Sequence, residues 1–281
     1  MVATRRSLTD KSAVLSVAPP SLAHSAPPIA APHHHLVACD IVRVYTDADD
    51  NEVLALDGFD LEIEGSEIVG LIGPSGCGKS TFLRLVAGLD QQQEGVLTYN
   101  STPITRPDYR RGLVFQNAAL FEWLTVYDNI AYGLRARKVF RQQKEKVQAY
   151  IDLMGLTGFE KSYPHQISGG MASRTALARS FIQEPGVILL DEPLASLDAF
   201  TRATIQDQII EMQQRARAII ILVTHDIEEA VYLCDRIVIM SSRPGRAVGE
   251  VAIGLDHPRD RTSPAFIEYR RAVMQVLGEG Q

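Results

Sequence analysis

Short apolar runs bounded by polar and turn-forming residues recur along the chain, and they predict β-strands. The first three lie at residues 36–45, 56–63 and 67–72, and they predict an antiparallel entry into a sheet. Later runs predict strands at residues 95–99, 111–115, 187–190, 219–223 and 236–240. Because segments with helical spacing separate most of the later strands, the pattern predicts an α/β fold whose core strands are parallel.

The middle of the chain follows a different pattern. Across residues 117–167 the apolar positions keep helical spacing without a strong strand, and the clearest helices are predicted at 126–137 and 141–154. We interpret this stretch as a helical subdomain inserted into the α/β core. An earlier helix is predicted over Lys79–Ala87, and it ends at Gly88, a residue suited to a helix C-cap.

The two ends of the chain flank a main domain that is predicted over residues 36–245. Residues 1–35 are rich in Ala, Pro, Ser and His and lack periodicity, so they are predicted to form a disordered N-terminal arm. Residues 246–281 are predicted as a C-terminal extension, with a strand at 247–253 and an amphipathic helix at 264–277. The chain is therefore predicted to hold one substantial domain between two short extensions.

Composition excludes several classes of protein. A net charge of -6 gives no overall attraction for polyanions, and no concentrated basic cluster is evident, so we expect no nucleic-acid partner. The three cysteines, Cys39, Cys77 and Cys234, are far apart and odd in number, which argues against a disulfide framework and fits a reducing cytoplasm. No apolar run approaches the roughly 20 residues of a membrane-spanning helix. We expect a soluble globular protein that does not cross a membrane by itself.

A glycine-rich segment between the strand at 67–72 and the helix Lys79–Ala87 matches the phosphate-loop pattern. Its glycines let backbone N–H groups converge on phosphate oxygens, and the helix N-terminus adds partial positive charge. Lys79 would reach the terminal phosphates, and the Ser80 hydroxyl would ligate Mg²⁺. A simple glycine-rich turn is the alternative. We predict a nucleotide site formed by Gly73, Pro74, Ser75, Gly76, Cys77, Gly78, Lys79, Ser80 and Thr81.

Two carboxylates follow the apolar strand predicted at 187–190. Ligands of parallel α/β sheets bind at the carboxyl ends of the strands, which is where Asp191 and Glu192 would lie. Asp191 is predicted to hold Mg²⁺, directly or through water, and Glu192 to polarise the water that attacks the nucleotide. A solvated strand end is the alternative interpretation.

Two further polar residues follow neighbouring strands. His225 comes after the strand at 219–223, where it could bond a phosphate oxygen and hold the attacking water in line. A structural histidine is the more common reading of such a position. Gln116 follows the strand at 111–115, so its amide could contact Mg²⁺ or the water and report nucleotide state to the helical subdomain.

A second potential phosphate site lies at Ser168, Gly169 and Gly170, just before a helix predicted over residues 171–183. The glycines permit close backbone approach, and the helix N-terminus favours an anion. A plain helix start with Ser168 as N-cap is the alternative. One nucleotide needs only one cradle, so the second predicts a site that another subunit completes.

Taken in order, these motifs resemble the ATP-binding subunit of ABC transporters over residues 36–240. The resemblance implies ATP and Mg²⁺ as ligands and a head-to-tail dimer, in which Ser168, Gly169 and Gly170 of one chain close over ATP on the other. It also places Asp198 at the dimer seam. An aromatic residue upstream of the phosphate loop would stack on adenine; Tyr45 is the matching position, and Phe59 is the second choice.

The segment around Ser168 departs from the common family pattern. Ile167 stands where the family often has leucine, and Met171 replaces a glutamine, so polar contacts of that glutamine are lost. The methionine, the segment at 120–126 and the arginine-rich segments at 241–246 and 258–261 resemble the branch that takes up nitrate, sulfonate and taurine. The resemblance therefore implies import of a small anionic solute.

The leading hypothesis is an ATP-hydrolysing subunit at the cytoplasmic face of the bacterial inner membrane. It would act with a second copy of itself, integral membrane permease subunits and a periplasmic solute-binding protein. The sole tryptophan, Trp123, would lie at the groove that receives a permease helix, although such an apolar cluster is more often core. A soluble ABC-type ATPase of DNA repair or translation is the alternative, and a small-molecule kinase leaves Ser168, Gly169, Gly170 and His225 unexplained.

Overall fold

The computed structural model describes residues 34–195 and 197–279. The strands in this part of the chain are β1 His35–Thr46, β2 Glu52–Glu64, β3 Ile68–Ile72, β4 Glu94–Tyr99, β5 Thr102–Pro103, β6 Arg111–Val114, β7 Val187–Asp191, β8 Ile219–Val223, β9 Arg236–Met240 and β10 Ala247–Ala252. The α-helices are α1 Lys79–Ala87, α2 Val126–Ala136, α3 Phe140–Leu153, α4 Gly169–Phe181, α5 Ala199–Ala216, α6 Ile227–Leu233 and α7 Pro264–Glu279.

A four-stranded sheet in the order β2-β1-β4-β5 is antiparallel throughout. Its core-facing side chains pack on α1, where the rings of Phe59 and Phe82 lie 4.7 Å apart. Apolar and polar positions alternate along the second half of β2, which is the pattern of a sheet with one buried face. This sheet supports the helix that follows the phosphate loop.

The second sheet has six strands in the order β10-β9-β3-β8-β7-β6, and its strands are parallel except for the edge strand β10. Here the sequence-based prediction for residues 67–72 is wrong in part. The strand exists as β3, but it pairs in parallel with β8 and β9 instead of joining the antiparallel sheet. The reason is burial, because every residue of β3 and β8 is buried, and only a sheet covered on both faces provides that environment.

The helices α2, α3 and α4 pack together beside this sheet and share its apolar core. Their predicted bounds are close to the observed ones for α2 and α3, whereas α4 begins two residues earlier than predicted, at Gly169. None of the helices in the described residues combines the length and the apolar character that a membrane crossing requires.

The C-terminal residues pack on the second sheet. Strand β10 pairs with β9, and α7 packs against α6. Between them Arg259 is almost fully buried, and its guanidinium donates to the carbonyl oxygens of Val231, Cys234 and Leu255. A cation at this point satisfies the carbonyls that the end of α6 leaves unpaired. At the other end of the chain, β1 begins at His35, and residues 1–33 of the predicted arm lie outside the described residues.

Candidate active site

The carboxyl ends of four parallel strands meet at one edge of the second sheet. The phosphate loop follows β3, Gln116 follows β6, Asp191 and Glu192 end β7, and His225 follows β8. The apolar strands predicted from the sequence thus deliver the predicted polar residues to one place. This is the edge at which parallel α/β sheets bind ligands.

The phosphate loop turns between β3 and α1 in a conformation that demands glycine. Gly76 has φ 76° and Gly78 has φ 104°, both in the left-handed region. A Cβ at Gly78 would also lie 2.8 Å from the carbonyl oxygen of Ala55, which leaves no room for a side chain. The loop backbone therefore packs tightly on β2 and exposes the N-terminus of α1 to a ligand.

Lys79 contacts the phosphate loop itself, whereas Ser80 contacts the end of β7. The buried Lys79 ammonium donates to the carbonyl oxygens of Gly73 at 2.7 Å and of Pro74 at 2.9 Å. The Ser80 hydroxyl donates to Asp191 Oδ1 at 3.0 Å, and burial raises the pKa of that carboxyl above its ordinary value despite this hydrogen bond. A hydroxyl and a carboxylate oxygen side by side form a pair of hard ligands suited to Mg²⁺.

Glu192 lies at the centre of the polar cluster. Its backbone has φ 46°, in the left-handed region that a residue with a side chain rarely adopts, so the chain turns sharply at the end of β7. The Gln116 amide donates to Glu192 Oε2 at 3.3 Å, and His225 Nδ1 lies 3.3 Å from the same oxygen. The structure therefore brings together the three residues that the sequence nominated for catalysis.

A cleft of about 270 Å³ opens between the loop and β1–β2, and it includes Tyr45, Lys79, Ser80, Thr81 and Glu192 in its lining. The Tyr45 hydroxyl donates to Asp90 at 2.7 Å, and Arg43 stacks on the same ring. Phe59, the second choice for adenine, is fully buried in the core and has no face available for stacking. Tyr45 therefore remains the aromatic candidate of the cleft.

The first residues of α4 are held differently from the phosphate loop. Ser168 is the N-cap, and its hydroxyl accepts from the backbone N–H of Met171 at 3.2 Å, as the plain helix-start alternative requires. A Cβ at Gly169 would meet nothing within 4 Å, whereas one at Gly170 would lie 3.2 Å from Leu197. In the described part of the chain, no hydrogen bond joins this segment to the phosphate loop.

Asp198, the predicted dimer-seam residue, is exposed just before α5. Its carboxylate accepts from the backbone N–H of Thr201 at 2.9 Å, so within this chain it begins the helix. Leu197 beside it is buried against α4. The turn between β7 and α5 therefore connects the Ser168 segment with the carboxylates at the sheet edge.

An aromatic patch, which we define as the half-buried Phe121 and the exposed Trp123 and Tyr132, lies on the loop after Gln116 and on α2. The Trp123 ring lies tilted against Phe121 with the ring centroids 5.4 Å apart, and the residue is 73% exposed, so it is not core. The buried Asn129 ties the loop in place through the carbonyls of Phe121, Leu124 and Thr125. Arg179 of α4 donates to the carbonyls of Ala118 and Ala119, which links the helix that begins at Ser168 to this loop.

Sequence reasoning missed two charged residues at the site. Arg243 lines the same cleft as Tyr45, and its Nε donates to the carbonyl oxygen of Gly76 at 3.2 Å. The sequence offered Arg243 only as part of an arginine-rich segment. Glu229 of α6 is buried beside His225. The sequence of this short helix gives no sign that one of its two adjacent glutamates is buried.

These features define the class of the protein. A glycine-rich loop after β3, carboxylates at the end of β7 and polar residues after β6 and β8 form the site of a P-loop ATPase. The α/β core with an antiparallel sheet and packed helices α2 to α4 confirms the predicted fold class.

Comparison with known proteins identifies the family. The family model described as ABC transporter matches residues 56–195. The chain is 43% identical over 244 residues to the aliphatic sulfonates import ATP-binding protein SsuB of Bacillus cereus, which covers 87% of this chain and 96% of that protein. It is 43% identical over 219 residues to the protein of the same name in Bacillus subtilis, covering 78% of this chain and 85% of that protein.

Among solved structures, a dimeric ATP-binding cassette in a post-hydrolysis state bound to ADP and Pi matches with a TM-score of 0.70 and 26% identity. The match covers 79% of this chain and 100% of that chain. The chain therefore belongs to the ABC transporter family as an ATP-binding subunit, and it is an ATP hydrolase. The predicted family and branch are confirmed, and the alternative of a soluble ATPase in repair or translation is not favoured.

Proposed function

We propose that this chain hydrolyses ATP to drive import of a small anionic solute of the sulfonate type through a separate membrane permease. The observation that carries the solute class is the likeness to aliphatic sulfonates import proteins across 87% of the chain. Nitrate and taurine belong to the same branch of the resemblance and are the competing solutes. The cleft of this chain is the nucleotide site, so the proposed solute class is supported by the relatives rather than by a solute pocket in this chain.

ATP would lie in the cleft beside the phosphate loop. The backbone N–H groups of residues 73–81 would hold the phosphates, Lys79 would neutralise the terminal ones, and Tyr45 would stack on adenine. Ser80 and Asp191, whose oxygens lie 3.0 Å apart, would hold Mg²⁺ with the Gln116 amide oxygen. Bound there, the metal would offset the negative charge of the phosphates.

Hydrolysis would centre on Glu192. Its carboxylate, shared by the Gln116 amide and His225 at 3.3 Å, would accept a proton from the attacking water. His225 would hold a phosphate oxygen and keep that water in line. The strained backbone at Glu192 supports this role, because left-handed conformations in residues other than glycine cluster at functional sites.

A second copy of the chain would complete each site. The Ser168 segment has open space around Gly169 and a helix N-terminus beyond it, so a phosphate on another chain could approach. Asp198 would lie at the seam between the two copies. The dimeric state of the solved cassette described above supports this arrangement.

The aromatic patch would receive a helix of the permease. Aromatic side chains that become buried on binding often contribute most of the energy of a protein interface, and Trp123 and Tyr132 are both exposed in this chain. Arg179 joins α4 to this loop, so closure over ATP would move the patch. The proposed location is therefore peripheral, on the cytoplasmic face of the inner membrane, with a periplasmic solute-binding protein completing the system.

Growth on single sulfur sources tests the solute class. Deletion of the gene is expected to abolish growth on an alkanesulfonate as sole sulfur source and to leave growth on sulfate intact. The wild-type gene should restore growth, whereas Lys79→Ala should not, because the phosphates lose their cation. If the deletion strain grows on alkanesulfonates but fails on nitrate as sole nitrogen source or on taurine as sole sulfur source, the imported solute is nitrate or taurine instead.

A further inference from the structure

A small cavity of about 50 Å³ lies beside the proposed catalytic residues and shares Glu192 with the lining of the nucleotide cleft. That volume accommodates one or a few water molecules, provided that polar groups are present to bind them. Its lining is predominantly polar or charged: Glu192, Leu194, Ala195, Arg202, Thr224, His225, Asp226 and Glu229. The cavity thus contacts both Glu192 and His225 of the proposed catalytic site and the buried carboxyl group of Glu229.

Glu229 supplies the unusual group in this lining. The residue is only 6% exposed, and its Oε2 accepts from the Thr224 hydroxyl at 2.7 Å. Its other oxygen, Oε1, is buried without a hydrogen-bond partner among the described residues. A buried carboxylate oxygen left unpaired is costly, so the group needs either a proton or a water there.

The charges around Glu229 come from every element that packs on the cavity. Glu192 faces it from the end of β7, Arg202 from α5, His225 from the end of β8 and Asp226 from the start of α6. Two nitrogens of the Arg202 guanidinium are engaged elsewhere, because one donates to the Leu197 carbonyl at 3.0 Å and the other lies 3.5 Å from Asp226, while its buried Nε has no hydrogen-bond partner among the described residues.

No cation therefore pairs directly with Glu229 in the part of the chain that the structure describes. Burial raises the pKa of Glu229 to about 7, and the negative charge of Asp226 adds to the rise. The Thr224 hydrogen bond and the charges of Arg202 and His225 oppose it. At neutral pH the carboxyl is poised to take up or release a proton.

The neighbouring glutamate shows what an ordinary structural role looks like on this helix. Glu228 is partly exposed and lies 3.8 Å from Arg261 and 3.6 Å from Arg270. Glu229, one residue later, accepts a hydrogen bond from the Thr224 hydroxyl with one oxygen, and its other oxygen, beside the cavity, has no partner in the described residues. The fold keeps an acid where an apolar side chain would pack at lower cost.

We propose that the cavity and Glu229 form a proton-holding site that serves ATP hydrolysis. As water attacks the terminal phosphorus, a P–O bond forms, the bond to the leaving ADP oxygen breaks, and the proton of the water passes to Glu192. The Glu192 O–H bond then breaks as a cavity water relays a proton to Glu229 Oε1. Glu192 is again ionised, and Glu229 releases the proton when the site opens. The inference rests on the proposed role of Glu192.

The test compares Glu229→Gln with Glu228→Gln in the full-length protein. Glutamine keeps the volume and can still accept from Thr224, but it cannot titrate. ATP turnover is measured from about pH 5.5 to about pH 8.5, a range that brackets neutral titration. Wild type and Glu228→Gln should both show a rise in turnover with a midpoint near pH 7, as Glu229 becomes able to accept a proton.

Glu229→Gln should lose that rise and reduce the turnover at the alkaline plateau roughly tenfold. Its KM for ATP should stay unchanged, because the phosphate loop is intact, whereas a merely structural defect would leave the shape of the pH profile as in wild type. A Glu229→Gln profile that coincides with wild type would overturn the proposal. Activity retained by Glu192→Gln would instead overturn the proposed catalytic base, so the two failures are distinguishable.

Infrared difference spectra provide a second readout that does not depend on turnover by the variant. Above the titration range of Glu229, wild type and Glu228→Gln should show during ATP hydrolysis a transient band of the protonated Glu229 carboxyl, whereas Glu229→Gln should lack that band and instead keep the proton on Glu192, whose carboxyl band lies at a different position. The same band in Glu229→Gln would assign the proton to another group and contradict the proposal.

Discussion

The chain has two candidate phosphate-binding segments, and their surroundings differ. The phosphate loop is surrounded by polar contacts within its own chain. Lys79 donates to two loop carbonyls, Ser80 donates to Asp191, and Glu192 lies beside His225. The segment at Ser168 has a helix N-terminus and open space at Gly169, with no catalytic side chain bonded to it in the described residues. The phosphate loop therefore has catalytic side chains beside it, whereas the Ser168 segment offers only a surface that can bind an anion.

The difference is informative because it matches what a shared site requires. A helix N-terminus attracts an anion but cannot activate water, and the phosphate loop with its carboxylates can do both. Two copies arranged head to tail would supply both parts to each ATP. The comparison therefore predicts that damage to the two segments will produce separable defects.

The largest effect is expected from Glu192→Gln. Loss of the carboxylate should lower ATP turnover by about 10³-fold, within the usual contribution of a general base. ATP binding should be retained, because the phosphate loop and Lys79 are untouched. Turnover is measured by phosphate release and binding by calorimetry; substantial hydrolysis by the variant would exclude Glu192 as the base.

The other segment can be tested with Gly169→Asp. The side chain meets nothing within 4 Å in its own chain, and a carboxylate in the first turn of a helix is favourable, so the free chain should keep its stability. The carboxylate would repel the phosphates of a partner chain, and turnover should fall by about 10²-fold with unchanged ATP binding to the monomer. Gly169→Ala serves as the matched control and should lose far less.

A smaller effect, on the stability of the protein, is expected from Glu229 beside the catalytic residues. Burial raises the pKa of Glu229 from its ordinary 4.5 to about 7, so the folded protein binds a proton more tightly than the unfolded chain. The stability from this proton is fully present below pH 4.5 and is lost as pH rises through about 7.

The loss amounts to at most about 3 to 4 kcal/mol, because the pKa rises from 4.5 to about 7 at roughly 1.4 kcal/mol for each pH unit. Glu229→Gln should remove this dependence, so that the free energies of unfolding of wild type and variant diverge as pH rises through that window. Parallel denaturation curves for the two proteins over the same range would exclude a shifted Glu229.

The sequence predicted the parts of the fold that depend on local pattern. The strands β4 and β7 to β9, the helix Lys79–Ala87 and the glycine turn that starts it all follow from apolar runs and glycine spacing. The polar residues at the sheet edge could be placed together because parallel strands end on the same side.

The rest depends on tertiary contacts that no local pattern encodes. The sheet to which β3 belongs is decided by its neighbours β8 and β9, which come about 150 residues or more later in the sequence. Phe59 is as aromatic as Tyr45 but is buried against Phe82, so composition alone could not separate them. The packing of segments that are distant in sequence determines the positions of Arg243, Arg259 and Glu229.

The most direct test of the shared site is the mass in solution of the Glu192→Gln protein with ATP and Mg²⁺, measured by analytical ultracentrifugation. The account predicts monomers without nucleotide and dimers with ATP, and it predicts that Gly169→Asp in the same background binds ATP but stays monomeric. A Glu192→Gln protein that binds ATP and remains a monomer, or a double variant that dimerises equally well, would contradict the claim that a second copy completes the site.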